Sequence, residues 1–376
     1  MVTESLPRVL YVLNVNPADK FGSMEEQIVF MCRAFRAAGS RFVPLFTFHL
    51  ESGMMDSWHE QGIDAHCLDL THFRLGTVGK LLRLMGKEAI DIVHWNMTNP
   101  LSNSYLWCLS ILRPRVHHFY TDHNSRDQGP YVGLLGWRKT LKRLLLTRYR
   151  QVWCVSQFVL DSLAAQGTWS NLRCCPHFIN TERFRPDPTV RAALRCEYKV
   201  AERFVVTVIA QLIPAKAIDV ALRALALLPD HVVLWIVGTG EQADELKALS
   251  RQLGVEERVT FLGLQRNVEP FLQAADCFVL PSRWQEAAGL VVLEAQASGL
   301  PVVASRIGGI PEYIDADRTG LLFAPDDIGA LAACLRYLCT DAALVRRMGS
   351  AAQVWVQERF SVESRLPALL NMYRHG

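Results

Sequence analysis

Two glutamates lie eight residues apart in the segment PSRWQEAAGLVVLEAQASG, which spans residues 281–299. The pattern predicts that Glu286 ends a loop and that a helix begins at Leu290. Backbone N–H groups around Ala288–Val291 would then point out of the helix N-terminus, where the helix dipole favours an anion such as a diphosphate. Glu286 could accept hydrogen bonds from sugar hydroxyls, and Glu294 could accept them from a ribose diol.

Apolar runs alternate with amphipathic stretches on both sides of this segment, a pattern typical of parallel α/β sheets with both faces covered. The predicted strands are Arg8–Asn14, Arg41–Thr47, Asp91–Trp95, Val116–Thr121 and Gln151–Val155 in the first half, and Phe204–Ala210, Val232–Val237, Val259–Leu262, Cys277–Leu280 and Pro301–Ala304 in the second. The predicted helices include Met24–Ala38, closed by Gly39, and Ala217–Leu228, Glu241–Leu253, Leu290–Ala297 and Ile328–Leu338.

The domain organisation follows from this alternation and its interruption. The chain has 376 residues, which at about 150 residues per domain suggests two domains. Pro176–Pro188 contains three prolines and is predicted to be an interdomain linker. Two doubly wound sheets would face each other across a cleft, with ligands at the carboxyl ends of their strands.

Composition excludes several functional classes. The net charge of +3 is far from the basic stripe of a nucleic-acid-binding protein, so we expect no nucleic-acid partner. The ten cysteines show neither CxxC nor zinc spacing, which favours reduced, mostly buried thiols. No apolar run reaches transmembrane length, and the first residues do not resemble a signal peptide.

The segment around the two glutamates resembles glycosyltransferase family 4, a family of retaining enzymes whose fold is called GT-B. The family motif PS-x-x-x-E-x-x-G-L-x-x-L-E-A contains E-x7-E, and Glu286 and Glu294 match it. Further matches are Gly22 to Glu25 in a Gly-rich turn, His123 in FYTDHN, Ser156 in CVSQ, Pro176–Pro186, Lys216, Gly238 and Gly240 in VGTG, and Gly308, Gly309, Pro311 and Glu312.

The resemblance implies a domain layout. Residues 1–187 would form an acceptor-binding Rossmann-like domain and residues 188–359 a nucleotide-sugar-binding one. Residues 360–376, with the predicted helix Phe360–Tyr373, would cross back onto the first domain.

The resemblance also assigns site residues. It implies catalytic roles for His123, Lys216 and Glu286, with His123 hydrogen-bonding at the donor sugar. The implied donor-binding residues are Gly22, Ser23, Gln211, Lys216, Gly238, Gly240, Leu264, Arg266, Glu286, Ala288, Gly289, Leu290, Val291 and Glu294. No metal and no cofactor is expected beyond a nucleotide-sugar co-substrate of the UDP or GDP type, because Lys216 and the helix N-terminus would stabilise the leaving diphosphate.

The sequence departs from the family pattern beside Lys216. Gln211 replaces an arginine that binds phosphate, and Ala217 replaces a glycine. One charge pair is worth ~4 kcal/mol at 4 Å and an effective dielectric of ~20. If ~2 kcal/mol of that is specific to the transition state, the loss is on the order of 30-fold in rate. Arg283, Arg266 and Arg306 could each supply the missing cation.

Two further departures concern shape. Ala287 and Ala288 replace bulkier residues, which could enlarge the donor-sugar pocket. His177 and Phe178 replace an Asn-Gly pair, which removes a turn signal from the linker.

The segment 136–150, GWRKTLKRLLLTRYR, is rich in Lys and Arg and contains no acid. Its apolar residues recur at helical spacing, which predicts a basic amphipathic helix. Such a helix could pack its apolar stripe onto the sheet, or it could lie on an anionic membrane surface.

Three functions are compatible with these observations. The first is a retaining glycosyltransferase that moves a sugar from a UDP- or GDP-sugar to a glycan or lipid-linked acceptor, in cell-surface polysaccharide or glycoconjugate synthesis. It would be cytoplasmic, with peripheral attachment to the inner membrane face. The second is a nucleotide-sugar epimerase, which would need acids and bases that the sequence does not offer beyond Glu286. The third is a non-catalytic nucleotide-sugar-binding protein, suggested by Gln211.

Overall fold

The computed structural model describes residues 5–14, 22–47, 58–98, 103–123, 147–165 and 170–376. The chain divides into two compact units. Unit 1 contains the described residues up to 178 together with 365–376, and unit 2 contains residues 179–364.

Unit 1 is built on a seven-stranded parallel sheet in the order β3-β2-β1-β4-β5-β6-β7. Its strands are β1 (Val9–Leu13), β2 (Phe42–Phe46), β3 (His66–Cys67), β4 (Ile92–Asn96), β5 (His117–Asp122), β6 (Gln151–Cys154) and β7 (Leu172–Cys174). Its helices are α1 (Ser23–Ala37), α2 (Leu75–Lys87), α3 (Ser104–Leu112) and α4 (Gln157–Ala164). The strand order reverses between β1 and β4, which makes this position the topological switch point of the sheet.

Unit 2 is built on a six-stranded parallel sheet in the order β10-β9-β8-β11-β12-β13. Its strands are β8 (Phe204–Ile209), β9 (Val232–Val237), β10 (Val259–Gly263), β11 (Cys277–Leu280), β12 (Val302–Ser305) and β13 (Gly320–Phe323). Its helices are α5 (Pro188–Glu197), α6 (Ile218–Leu225), α7 (Ala243–Gln252), α8 (Glu269–Ala274), α9 (Leu290–Ala297), α10 (Ile328–Cys339) and α11 (Ala342–Phe360), followed by α12 (Val362–Arg374), which continues into unit 1.

Two strands that were predicted from apolar runs, β2 and β9, are buried on both faces. All five residues of β2 and all six of β9 are buried. Helices cover both sides of such a sheet, so an outward-facing polar row is not needed. The predicted α/β fold class, with two doubly wound parallel sheets, is confirmed.

The C-terminal helix completes the core of unit 1. Tyr373 of α12 is 2 % exposed and packs among the rings of Phe35, Phe119 and Trp153. Its hydroxyl lies 2.5 Å from His94 Nδ1, and His94 Nε2 lies 2.7 Å from Thr121 Oγ1. A residue late in the sequence therefore fills the centre of the first unit.

Several element boundaries differ from the predicted ones. The predicted helix Phe360–Tyr373 begins at Val362, since Phe360 ends α11 and Ser361 is extended. Ser361 pairs with Ile179, whose N–H donates to the Phe360 carbonyl at 2.9 Å. The predicted helix Ala217–Leu228 is shorter and spans Ile218–Leu225.

The predicted linker is packed rather than extended. Unit 2 begins at Ile179, ahead of the predicted domain boundary at 187/188, because Ile179 and Phe184 are fully buried in its core. Between Ile179 and Phe184 the chain makes a turn, in which Asn180 Oδ1 accepts a hydrogen bond from the Glu182 N–H at 3.2 Å. Helix α5 follows at once, with Pro188 in its first turn and Asp187 as its cap.

Among the described residues, no single helix is long and apolar enough to cross a membrane, and one pair of helices bent by 102° reaches that threshold only when taken together. All ten cysteines fall in the described ranges, and none of them forms a disulfide bond.

Candidate functional site

Glu286 lies on a short loop after β11, where two side chains hold its carboxylate. Ser282, which is fully buried, donates from its hydroxyl to Glu286 Oε1 at 2.8 Å. Lys216 Nζ donates to the same oxygen in a close ion pair. Glu286 is 9 % exposed. The structure thus brings together two of the three predicted catalytic residues and adds a serine that the sequence analysis did not single out.

Lys216 is carried by a 3-10 turn, Pro214–Lys216, that is bound to the Glu286 loop through the backbone. The N–H groups of Arg283 and Trp284 both donate to the Ala215 carbonyl, at 3.1 and 3.3 Å. The turn ends at Ala217, which is fully buried and has φ 50° and ψ 45°. This left-handed conformation explains why the family favours glycine there, and the alanine adopts it at a cost in strain.

Gly308 and Gly309 lie directly against the backbone of Glu286. The Gly309 N–H donates to the Glu286 carbonyl at 2.7 Å. A Cβ on Gly308, whose φ is +58°, would stand 2.5 Å from that carbonyl oxygen and 2.8 Å from the Glu286 nitrogen. Glycine is therefore required at position 308, where no side chain fits, and the Gly309 N–H fixes the position of the Glu286 loop.

Gly238 and Gly240 support the other side of the site in the same way. A Cβ on Gly238 would lie 1.9 Å from the Ala210 carbonyl oxygen, and one on Gly240 would lie 2.2 Å from the Leu212 carbonyl oxygen. Leu212 is also bonded to this turn, since its N–H donates to the Thr239 carbonyl at 2.9 Å. The close approach positions the chain that leads from β8 to Lys216.

Helix α9 begins as predicted. The Gly289 carbonyl accepts from the Val292 and Leu293 N–H groups at 2.9 and 3.3 Å, so the helix starts at Leu290. The N–H groups of Leu290 and Val291 come before these bonds and have no acceptor within the helix, which makes this end suited to an anion. Glu294 is in the second turn and is partly exposed.

Leu264 and Arg266 follow β10 on an exposed loop, where Leu264 is 55 % exposed. Gln265, between them, donates to the Leu262 carbonyl at 2.6 Å and fixes the start of the loop. This loop borders the same carboxyl end of the sheet as Gly238, whose N–H donates to the Gly263 carbonyl at 2.8 Å.

The three arginines considered as replacements for the missing cation differ in their surroundings. Arg283 is held by carboxylates, with its guanidinium 3.1 Å from Asp219 and 2.7 Å from Asp326. It also donates to the Pro214 carbonyl at 3.2 Å, so its charge is compensated and it stabilises the Lys216 turn. Arg266 and Arg306 are exposed, and Gln211 is exposed as well.

In unit 1, His123 follows β5 and is held by Asn96 at the end of β4. The Asn96 Nδ2 donates to the carbonyls of Val12 and His94, each at 3.3 Å. Asn96 Oδ1 therefore faces His123 Nε2, at 3.3 Å, which fixes the Nε2–H tautomer and leaves Nδ1 as an acceptor. Burial lowers the pKa of His123 to about 4, so the ring is neutral at pH 7.

His177 packs against His123. The two rings are stacked with centroids 5.2 Å apart, and His177 Nδ1 lies 3.0 Å from Gln27 Oε1 on α1. Burial, and then the neighbouring His123, lowers the pKa of His177 to about 3. The departure from the family pattern at this position thus stacks a second neutral ring on the predicted site histidine.

The predicted Gly-rich turn of unit 1 begins α1. Gly22 caps the helix, and its N–H donates to Glu25 Oε2 at 2.9 Å. Ser23, the first helical residue, is 6 % exposed. Of the unit 1 residues, the sequence analysis missed Asn96 and Gln27, although polar side chains at strand and helix ends are a usable signal.

Two predictions remain, one about the basic helix and one about a metal ion. Most of the predicted basic helix, residues 136–146, lies outside the described residues, and residues 147–150 form a turn. Within the described ranges, no group of three or more His, Cys, Asp or Glu side chains is arranged to hold a metal ion.

Two family models match the chain. That of the group 1 glycosyl transferases matches residues 194–355, and that of Glycosyltransferase Family 4 matches residues 31–183. These matches bear out the resemblance found in the motifs.

Curated relatives extend this result. A GDP-mannose-dependent alpha-(1-6)-phosphatidylinositol monomannoside mannosyltransferase from Mycolicibacterium smegmatis is 34 % identical over 298 residues, which cover 76 % of this chain and 77 % of that protein. The protein of the same name from Mycobacterium tuberculosis is 34 % identical over 232 residues, covering 58 % of this chain and 60 % of its own length. The chain thus matches less than two thirds of the length of the tuberculosis protein.

A solved structure supports the fold. HepE from Anabaena, crystallised in complex with UDP, superposes with a TM-score of 0.80 at 21 % identity, covering 98 % of this chain and 100 % of that one. This likeness confirms the predicted architecture across the length of the chain.

Proposed function

Because this chain belongs to glycosyltransferase family 4, we propose that it is a retaining glycosyltransferase that moves a sugar from a nucleotide-diphosphate sugar to a glycan or lipid-linked acceptor. The observation that carries the proposal is the joint fixing of Lys216 and Glu286 beside the open N-terminus of α9. The donor would be of the UDP or GDP type, since the M. smegmatis relative is named for GDP-mannose and HepE was crystallised with UDP.

The donor diphosphate would bind between Lys216 and the first N–H groups of α9. As the sugar–phosphate bond breaks, negative charge develops on the leaving diphosphate. A fixed ammonium group and a helix dipole stabilise that charge without reorganising, which lowers the barrier. They occupy the role that a divalent metal ion has in other enzymes, so the reaction is expected to run without added metal.

Lys216 and Glu286 would exchange partners during binding. A diphosphate competes for Lys216, whereas Ser282 keeps its bond to Glu286 Oε1. The carboxylate then stays oriented and can accept from hydroxyls of the transferred sugar. Glu294 would accept from the ribose diol, and the acceptor oxygen would attack on the face from which the diphosphate leaves.

His123 would act as a hydrogen-bond acceptor for the donor sugar through Nδ1. Its neutral form is maintained by burial, and its tautomer is fixed by Asn96. The proposed role is positioning and electrostatic, because a group with so low a pKa is a weak base at neutral pH.

The remaining donor-binding assignments are proposals of the same kind. Gly22 and Ser23 would contribute backbone groups at the start of α1. Gly238 and Gly240 would let the chain approach the phosphates closely, and the loop with Leu264 and Arg266 would contact the base.

The first test is a donor panel. The purified protein is incubated with UDP-, GDP-, ADP- and dTDP-sugars without added metal, and thermal stabilisation and nucleotide release are measured. We expect release from one donor, lost in Glu286→Ala and unchanged in Glu257→Ala, an exposed glutamate of unit 2. Stabilisation without release under any condition would favour a non-catalytic nucleotide-sugar-binding protein, and no stabilisation would contradict the donor site.

The missing cation gives a second test. Gln211→Arg should raise the rate of nucleotide release by on the order of 30-fold, corresponding to ~2 kcal/mol of transition-state stabilisation. Gln211→Met is the matched neutral control and should not raise it. An equal rate for the two variants would show that Arg266 or Arg306 already supplies the charge.

We further propose that the protein is cytoplasmic and binds the anionic inner face of a membrane through residues 136–150. Arg148, in the described part of this segment, stacks on Trp107 of α3 with 5.1 Å between the guanidinium carbon and the ring centre. The same helix ends in Ile111 and Leu112, which are 75 % and 53 % exposed. Anionic lipid attracts a basic segment by ~1 kcal/mol per residue near the surface.

Vesicle flotation tests this attachment. Charge reversal at Lys139, Lys142 and Arg143 should abolish flotation with vesicles that contain phosphatidylserine. Reversal at Lys199 and Lys247, which lie in unit 2, is the control. Undiminished flotation of the first variant would contradict the proposal.

A further inference from the structure

Arg283 lies on the loop that carries Glu286, and each nitrogen of its guanidinium has an acceptor. Nε donates to Asp326 Oδ1 at 2.9 Å, and Nη1 donates to the Pro214 carbonyl at 3.2 Å. Nη2 lies 3.1 Å from Asp219 Oδ2 and 2.7 Å from Asp326 Oδ1. Since two carboxylates balance its charge and all three nitrogens are bonded, the side chain links separate segments of unit 2 and is not available to a phosphate.

The contacts of Arg283 lie on both sides of the turn that ends in Ala217. Before this residue, the Arg283 side chain bonds to the Pro214 carbonyl, and its backbone N–H donates to the Ala215 carbonyl at 3.1 Å. After it, the guanidinium bonds to Asp219 in the first turn of α6. One arginine therefore holds the turn at both ends.

The turn needs such a restraint because Ala217 is strained. Its φ of 50° and ψ of 45° are left-handed, a conformation that is unfavourable for alanine and readily adopted by glycine. The residue is fully buried, and no side chain caps the helix that starts after it. Without the restraint, the alanine would relax toward the right-handed region and the chain would change direction at this point.

The position of Lys216 depends on this turn, since Lys216 directly precedes Ala217. Its ammonium group forms the close ion pair with Glu286 Oε1, although its side chain is 25 % exposed and could turn to solvent. A displacement of about 1 Å is enough to impair a positioned catalytic group. The restraint on Ala217 is therefore also a restraint on the ion pair.

We propose that Arg283 is a positioning residue that holds Ala217 in its left-handed conformation and thereby keeps Lys216 against Glu286. A glycine, as in the family pattern, adopts this turn without strain, so Arg283 should become dispensable when residue 217 is glycine. Lysine cannot replace Arg283, because an ammonium group lacks the planar fork that spans the acceptors. The inference rests on the proposed function only for its effect on nucleotide release.

The first measurement is the rate at which acetic anhydride modifies Lys216, followed by mass spectrometry in the absence of nucleotide. Glu286→Ala removes the partner of Lys216 and gives the rate for an unpaired lysine. Arg283→Met and Arg283→Lys should each raise the modification rate at least about fivefold, because the strain at one left-handed residue shifts a local equilibrium by such a factor. Arg318→Met is the matched control and should leave the rate unchanged, since Arg318 pairs with Asp315 at 2.8 Å elsewhere in unit 2.

The second measurement is suppression by glycine. In the Arg283→Met protein, Ala217→Gly should return the modification rate to within about twofold of that of the unmodified protein, because glycine keeps the left-handed turn without the guanidinium. Lys199→Gly is the matched control and should restore nothing, since Lys199 is another left-handed residue of unit 2, with φ 55°, that follows α5. Asp219→Asn weakens the same restraint from the other side, and it should also raise the rate and be suppressed by Ala217→Gly if Arg283→Met does not fold.

Nucleotide release, with the donor that the panel identifies, should follow the same order. Arg283→Met and Arg283→Lys should lower kcat at least about tenfold, and Ala217→Gly should restore it in the Arg283→Met protein. Circular dichroism of each variant verifies folding.

Three outcomes would overturn the proposal. The first is unchanged Lys216 modification in both arginine variants. The second is an Arg283→Lys protein that behaves like the unmodified one, which would mean that only the charge matters. The third is an Arg283→Met protein in which Ala217→Gly restores neither the modification rate nor kcat, which would mean that Arg283 does not act through Ala217. If modification follows the expected order and no donor releases its nucleotide, the transferase proposal fails and the positioning role stands.

Discussion

At the scale of single residues, Ser282 determines how Glu286 is oriented. A hydrogen bond to a charged group contributes about 1.5–3 kcal/mol. If about half of that is felt in the transition state, Ser282→Ala should lower kcat about tenfold and leave the Kd for the nucleotide unchanged. Steady-state kinetics with nucleotide titration measure both quantities.

Ser250→Ala is the matched control for this variant. Ser250 is equally buried, at 2 % exposed, and its hydroxyl donates to the Lys247 carbonyl at 2.8 Å, away from the site. If the two variants lost activity to the same extent, Ser282 would have no special role in positioning Glu286.

The stacked histidines make unit 1 sensitive to acid. In the folded chain the pKa values of His123 and His177 are about 4 and 3, whereas an unfolded histidine has a pKa near 6.5. Below pH 6.5 the unfolded chain binds protons that the folded chain does not, so the free energy of unfolding falls as pH drops from 6.5 toward 4. Each histidine contributes about 1.4 kcal/mol per pH unit in this window.

His177→Asn should therefore flatten the dependence by about 1.4 kcal/mol per pH unit, because it removes one titrating group. The asparagine amide can still donate to Gln27. Denaturant unfolding between pH 4.5 and 7 measures the slope, with the exposed His231→Asn as control. If the free energy of unfolding of the His177→Asn protein fell with pH as steeply as that of the unmodified chain, His177 would not titrate in this way.

At the scale of elements, Gly308 keeps the turn after β12 in contact with the Glu286 loop. Gly308→Ala would place a Cβ 2.5 Å from the Glu286 carbonyl oxygen, and its φ of +58° disfavours any side chain. We expect the loop to move, with a loss of activity of at least about tenfold and a lower Tm.

Gly329→Ala is the opposite case within the same unit. Gly329 is in α10, and a Cβ there would meet only Asp327 Oδ1, at 3.5 Å. This substitution should raise stability by up to about 1 kcal/mol and leave activity unchanged. Equal effects of the two substitutions would contradict the assigned role of Gly308.

At the scale of the whole molecule, the two units have separate hydrophobic cores, and α12 contributes Tyr373 to the core of unit 1. Tyr373→Phe removes the hydroxyl that bonds to buried His94. Leaving His94 Nδ1 without a partner should destabilise unit 1 by about 1–2 kcal/mol and lower its transition by roughly 2–8 °C. Scanning calorimetry measures the shift.

Tyr337→Phe is the control, since Tyr337 is 57 % exposed on α10. It should leave the transition unchanged. A Tyr373→Phe protein that melts like the unmodified one would mean that packing, and not the His94 bond, secures α12.

The fold class and the donor motif could be predicted from the sequence because both are local. Apolar runs reveal buried strands, and the spacing from Glu286 to Glu294 marks the start of α9. Ser282 could not be assigned in this way, since its role depends on a side-chain rotamer. The compensation of the Arg283 charge could not be predicted either, because its partners Asp219 and Asp326 are distant in the sequence.

Unit boundaries were harder to predict for a similar reason. Proline content marked a linker, but Ile179 and Phe184 are held by core contacts that composition does not reveal. His177 and His123 are likewise 54 positions apart in the numbering, and only the fold stacks them.

The placement of Tyr373 also determines the order in which the protein can be completed during synthesis. Unit 1 contains residues up to 178 and again from 365, so the ribosome makes Tyr373 195 residues after Phe178. At translation rates of 5–20 residues per second this interval is roughly 10–40 s. Throughout it, the nascent first unit has a gap among Phe35, Phe119 and Trp153, and unit 2 becomes complete at residue 364, nine residues before Tyr373. The part of the protein that is translated second is therefore the part that can finish folding first, and chaperones that bind exposed aromatic surface would meet unit 1 during that interval.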